Sequence, residues 1–150
     1  MKNRLSQLSI LVTAAILLIT ACKKSGSDND DSSFTWNYKG VDYKANYTLA
    51  RSVPDVGANI VGGLGNSALT PGSGPSFNII PLNTGLYVVG PGENFARFID
   101  TEGNDRQAVG LITISSIANK KLSATFTLQI TDPSGSHTLT GVINKIPITP

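Results

Sequence analysis

Hydrophobic and polar positions divide the chain into three regimes. Leu8 to Ile19 is an apolar run, Lys23 to Ser33 carries no hydrophobic side chain, and from Phe34 onward apolar positions recur mainly at every second residue. The first regime lacks the polar positions at 3.6-residue spacing that a surface helix shows. The second cannot bury apolar surface and is expected to stay disordered as a tether. The third is the pattern of strands with one face buried.

Within the third regime, Phe34, Trp36 and Tyr38 alternate with polar residues and predict a strand. Lys39-Gly40 supplies a turn, and Tyr43, Ala45, Tyr47 and Leu49 predict its hairpin partner. The aromatic row is expected to pack in the core, since aromatics favour half-buried strands; a sugar-stacking platform is the competing use. Ser52 to Pro75 is rich in glycine and proline and reads as loop around one short apolar piece, Ala58 to Val61. Ser76 to Pro81 and Gly85 to Val89 predict two short strands, and in Phe95 to Asp100 apolar groups fall on both faces. The clearest alternation is Leu122, Ala124, Phe126, Leu128 and Ile130 against Ser and Thr, which predicts a long antiparallel strand. A partner is expected near Val109 to Ser115, and His137 to Ile148 returns after a turn at Asp132 to Ser136. In that closing hairpin, Ile130 is expected opposite Leu139, Leu128 opposite Gly141, Phe126 opposite Ile143 and Asp132 opposite His137, around a four-residue loop. Val142 and Ile146 fall on the other face, which predicts a bulge near Gly141 or burial on both sides.

No stretch after the leader keeps helical spacing over three turns. The expected fold is all-β, an antiparallel β-sandwich, with a small up-and-down barrel as the alternative. The 150 residues suffice for one domain. The expected division is a signal peptide over 1–21, a modified cysteine with tether over 22–33, and one β domain over 34–150.

The leader has a basic start, Lys2 and Arg4, an apolar stretch and a small-residue exit, which are the parts of a secretory signal. It is shorter than the roughly 18–20 apolar residues that a membrane span needs. Ile19-Thr20-Ala21-Cys22 resembles the lipobox of bacterial lipoproteins. That resemblance implies cleavage before Cys22, acylation of its thiol with fatty acids such as palmitate, and a Gram-negative outer-membrane lipid anchor on the periplasmic or cell-surface face. Cys22 is the only cysteine, so an internal disulfide is excluded. Asp28, Asp30 and Asp31 resemble the acidic sorting signals of some surface-exported lipoproteins, against which stands a plain solvated spacer. Phe34 to Ala45, Gly110 to Ile114, Leu122 to Phe126 and Thr140 to Asn144 together resemble small β-rich bacterial lipoproteins of uncharacterised function. That resemblance implies a fold and a location and carries no activity.

Charge changes the picture little. Without Lys2 and Arg4, ten basic side chains stand against ten acidic ones, so no basic surface for nucleic acid is expected. Gly63-Leu64-Gly65-Asn66-Ser67-Ala68 imitates part of a dinucleotide fingerprint, but Pro71 and Gly72 bar the helix which that motif needs. One histidine, with Cys22 acylated, leaves too few ligands for zinc. The oxygen-rich loop Asp100 to Asp105 matches no calcium hand. No cofactor and no metal site is expected.

His137 near Asp132, Ser134 and Ser136 supplies the residue types of a hydrolytic triad. Their closeness in sequence argues against an aligned nucleophile, base and acid, so His137 is expected to form a surface pair with Asp132 and not to act as a base. No catalytic residue is assigned. The expected function is a non-catalytic binding module for a glycan, peptide or partner lipoprotein, with a structural or accessory envelope protein as the alternative. Ligand contacts are expected from the loops Ser52 to Pro75 and Asn83 to Asn94, through Asn66, Asn83, Asn94 and exposed backbone amides.

Overall fold

The computed structural model describes residues 32–54, 56–67 and 72–150. The leader, Cys22, and the tether through Asp31 with its acidic cluster lie outside the described residues. The described chain forms β1 (Ser33–Tyr38), β2 (Val41–Lys44), β3 (Tyr47–Val53), β4 (Gly57–Gly63), β5 (Gly74–Ile79), β6 (Gly85–Val89), β7 (Phe95–Ile99), β8 (Asp105–Ala118), β9 (Lys121–Asp132) and β10 (Gly135–Thr149). It is all-β, and every pairing is antiparallel except the short contact of Ile148 and Thr149 with Ala50 and Arg51.

The strands make two layers of one continuous sheet. The first runs β2-β1-β10-β9-β8-β6 and the second β3-β4-β5-β7. The long strands β8 and β10 serve both, as strands do at sandwich corners. Residues 105–108 of β8 pair with β7, whereas 110–114 pair with β6. Gly110 marks the switch: at φ 153° it lies so close to β9 that a Cβ would sit 2.3 Å from the Thr127 carbonyl oxygen.

Side chains from the two layers meet between them. Phe77 of β5 packs 5.0 Å from Phe126 of β9, and Tyr38 of β1 packs 4.7 Å from Phe98 of β7. Two glycines make room for rings: a Cβ on Gly62 would meet the Phe34 ring at 2.3 Å, and one on Gly141 the Phe126 ring at 2.2 Å. Phe34, Phe77 and Phe98 are fully buried, each contributing about 1.5–3 kcal/mol through lost apolar exposure. Among the described residues no polar or charged residue is classed as buried.

The alternation of β9 is as the spacing predicts, with Leu122, Ala124, Phe126, Leu128 and Ile130 all buried. The register of the closing hairpin differs by two residues. Ile130 lies opposite His137, Leu128 opposite Leu139, Phe126 opposite Gly141, and Asp132 opposite Gly135. Pro133 and Ser134 alone form the loop, because Asp132 folds its side chain back onto Ser134 and tightens the turn. A shift of two preserves which face each residue occupies, so the alternation by itself does not distinguish the two registers. The bulge falls later than Gly141. Between Ile143 and Ile146, β10 spends one more residue than β9, with Lys145 in the left-handed region at φ 50°. That extra residue returns Ile146 to the core face, while Val142, which precedes it, alternates with buried Ile143 and is exposed.

Two further expectations change. The strand expected over Tyr43 to Leu49 is two strands, since at Ala45 and Asn46 the chain crosses from the first layer to the second. Ala45 N–H donates to the Phe34 carbonyl at 2.8 Å and Asn46 N–H to the Gly63 carbonyl at 2.9 Å. The crossing inverts the alternation, so that Ala50 becomes the buried residue of β3. The span Ser52 to Pro75 holds a full strand, β4, paired on both sides with β3 and β5. Its glycines sit there because neighbouring groups approach closely, as Phe34 does at Gly62.

Candidate binding cleft

Three connections converge at one end of the sandwich: the β1–β2 turn, the β7–β8 loop and the β9–β10 turn. They frame a cleft of about 630 Å³ whose walls carry Lys39, Asp100, Glu102, Arg106, Asp132 and Ser134 together with Tyr38 and Tyr43. The chain enters the domain at Ser33, at the opposite end of β1 from this cleft.

Each connection is shaped by local chemistry. Tyr38 and Val41 close a two-residue hairpin in which Lys39 (φ 53°) and Gly40 (φ 78°) are both left-handed, the conformation of the turn that matches strand twist. Lys39 is an uncommon occupant there, since such turns favour Asn, Asp and Gly. The turn carries its ammonium to Asp132, 2.8 Å away on Oδ2, and 5.3 Å above the Tyr38 ring.

Asp132 Oδ1 accepts from Ser134 N–H at 2.7 Å and Ser134 Oγ–H at 2.5 Å, while His137 Nε2 lies 3.2 Å from it. The Lys39 hydrogen bond and those from Ser134 hold the Asp132 carboxyl well below the usual carboxylate range. In return, the bond to Asp132 raises the Lys39 ammonium above its ordinary value. Burial raises the Tyr38 phenol.

In the β7–β8 loop, Asp100 Oδ1 accepts from the backbone N–H groups of Glu102 (3.0 Å) and Asn104 (2.8 Å). Asn104 Nδ2 also donates to Asp100 Oδ2 at 3.0 Å. Burial pushes the Asp100 carboxyl upward, yet the Asn104 and Glu102 hydrogen bonds outweigh it and the net direction is down. Arg106, one residue inside β8, turns back toward this loop. Its Nε is 3.7 Å from Asp100 Oδ2, too long for a hydrogen bond. That Nε–H is buried without an acceptor.

His137, Ser134 and Asp132 come together as a cluster without the order of a relay. Both Ser134 Oγ (2.9 Å) and Asp132 Oδ1 (3.2 Å) approach the same ring nitrogen, Nε2. In a triad the serine meets one nitrogen while the acid orients the other. Among the described residues, no group of three or more His, Cys, Asp or Glu side chains has metal-binding geometry.

Asn66, Asn83 and Asn94 line none of this cleft. Asn66 is exposed in the turn after β4. Asn83 and Asn94 flank β6: Tyr87 Oη bonds both the N–H and the carbonyl of Asn83 at 3.0 Å, and Asn94 Oδ1 accepts from Ile80 N–H at 2.7 Å. Lys39 reads in sequence only as a turn residue, and neither it nor Arg106 is marked there as a site residue, because their meeting depends on strand order. The signal that was available is Lys39 itself, a non-glycine before Gly40 in a tight hairpin turn.

Another concavity lies on the outer face of the first layer, lined by Thr35, Asn37, Thr125, Thr140 and Val142. Its charges, Asp42 and Lys44, sit on the edge strand, and Asp42 is engaged by Asn37 Nδ2 at 2.7 Å. The end cleft is the place where charged groups from three separate connections face one space.

Comparison with protein-family models, curated proteins and solved structures returns no match. The class defined by the structure itself is an antiparallel β-sandwich with a mixed-charge cleft at the end remote from its N-terminal entry.

Proposed function

We propose that this chain is an envelope lipoprotein, anchored through acyl chains on Cys22, whose β-sandwich is a non-catalytic binding module with the end cleft as its ligand site. The observation that carries the reading is the convergence of Lys39, Arg106, Asp100 and Asp132 on one cleft, with the Arg106 Nε–H left without an acceptor. Unspent hydrogen-bonding capacity in a concave, partly apolar setting is what a ligand site requires. The classes of ligand in view are a glycan, a peptide or a partner lipoprotein.

A second reading, an accessory protein of the envelope, is favoured by β6. This edge strand, Gly85-Leu86-Tyr87-Val88-Val89, bears no charge and exposes Leu86 and Val88, whereas the other edge, β2, carries Asp42 and Lys44. Unprotected edges accept strands from other chains.

Affinity capture from envelope extract with the lipidated chain, an Arg106→Gln variant and a Val88→Lys variant separates the two. Loss of captured material with Arg106→Gln alone supports the cleft. Loss with Val88→Lys alone supports the accessory reading and removes the cleft as the functional site.

A further inference from the structure

Donor and acceptor bookkeeping in the cleft narrows the ligand, given the reading of the cleft as a binding site. The two innermost carboxylates are already satisfied. Asp100 takes the N–H groups of Glu102 and Asn104 and the Asn104 amide; Asp132 takes Ser134 twice and Lys39. The cations, although each stands beside one of these carboxylates, keep donors in reserve. A guanidinium has five N–H donors and an ammonium three; Arg106 Nε–H has no acceptor, and Lys39 Nζ spends one bond on Asp132 with its side chain 43% exposed. What this cleft lacks is an acceptor, and a charged one makes the strongest bonds to such donors.

Two more features shape the rest of the ligand. Glu102 is exposed, and its carboxylate receives only Asn104 Nδ2 at 3.3 Å, leaving oxygens able to accept from hydroxyl groups. Tyr43, stacked on Trp36 at 5.5 Å and 14°, adds apolar ring surface to the wall. A peptide C-terminus fits less well, because such carboxylates are captured by clustered backbone N–H groups. Here those at Glu102, Asn104 and Ser134 are taken by Asp100 and Asp132.

We propose that the cleft binds a carboxylated sugar residue of an acidic glycan, its carboxylate received by the Arg106 guanidinium and Lys39 Nζ and its hydroxyls by Glu102, with Tyr43 against the ring.

Titrate the full lipidated chain in mild detergent with a uronic-acid trisaccharide and with its neutral counterpart, following heat and the Trp36–Tyr43 near-ultraviolet signal. The acidic sugar is expected to bind at least tenfold more tightly, and Arg106→Gln or Lys39→Gln should weaken it by roughly ten- to a hundredfold, as for loss of a charge-assisted hydrogen bond. Thermal melts of both variants identify any that misfold, and either folded variant suffices. Equal binding of the two sugars, or no binding of either to the folded wild type, overturns the acidic-sugar assignment. That failure is distinguishable from failure of the cleft itself, which the Arg106→Gln capture experiment reads independently.

Discussion

Lys39 Nζ sits 2.8 Å from Asp132 Oδ2, joining two hairpin turns that lie 93 residues apart in sequence. The bond fixes the β1–β2 turn to the β9–β10 turn and so sets one lip of the cleft. Because β1 pairs directly with β10, the two hairpins are neighbours and their turns project side by side from the same end. The lysine side chain reaches from one turn to the other.

The pair makes folding sensitive to acid. Asp132 is depressed in the folded state, so its contribution is fully present above the unfolded carboxylate value of about 4 and is lost as pH falls through the lower folded value. Lys39 is raised, so its share is present below the unfolded lysine value of about 10 and is lost as pH climbs through the folded one. Asp132→Asn is expected to lower stability at pH 6 and to flatten the acid limb below pH 4. Urea midpoints of wild type and variant across pH 2–7 provide the check; parallel curves would contradict the coupling.

Gly141 has no room for a side chain. A Cβ there would lie 2.2 Å from the Phe126 ring and 2.4 Å from the Thr35 carbonyl oxygen, and the backbone atom cannot swing aside. Gly141→Ala is expected to cost about 1–3 kcal/mol by overpacking. Gly40, with nothing within 4 Å of its Cβ position, isolates the backbone effect: Gly40→Ala should cost about 1 kcal/mol through its left-handed conformation alone. Chemical denaturation of the two variants reads the difference.

How much of this was legible in the sequence follows from what alternation encodes. Period-two spacing identifies the buried face of β9 and the Phe34, Trp36, Tyr38 row, because face is a local property. Register is not local. The choice between pairing Ile130 with Leu139 or with His137 turned on how Asp132 uses its side chain within the loop, and both choices bury the same residues. The crossover at Ala45 and Asn46 was hidden because apolar positions continue in phase through Tyr47 and Leu49. The glycines of β4 suggested loop, whereas Gly62 serves close packing against Phe34 and Gly57 against Ile79. The cleft was least legible, since Lys39, Arg106 and Asp132 belong to three connections brought together only by the order of the strands.

The proposed lipid anchor has its own test. Cys22→Ala is expected to leave the chain uncleaved after Ala21 and without fatty-acid label, whereas the wild type is cleaved and labelled. Metabolic labelling with a palmitate analogue, followed by fractionation, is the measurement. Lipid retained by the variant would place the anchor elsewhere or remove it from the account.

Lys39 and Lys145 permit backbone strain to be separated from function, because both are non-glycine residues in the left-handed region, at φ 53° and φ 50°. That region costs an ordinary side chain about 1–2 kcal/mol relative to glycine, partly offset by the greater freedom of glycine in the unfolded chain. Lys145 lies exposed at the β10 bulge, where its N–H bonds Ser123 Oγ at 3.0 Å, and a substitution there keeps that bond. Lys145→Gly is therefore expected to stabilise by about 0.5–1 kcal/mol and to leave ligand affinity unchanged. Lys39→Asn places a favoured residue in the hairpin turn, so the easier turn offsets the lost bond to Asp132 and stability should change little. Affinity for the acidic sugar should nevertheless fall about tenfold, because the ammonium is gone. If Lys39→Asn instead raises stability strongly and spares binding, the lysine is merely a poor turn residue and the cleft draws its donors from Arg106 alone.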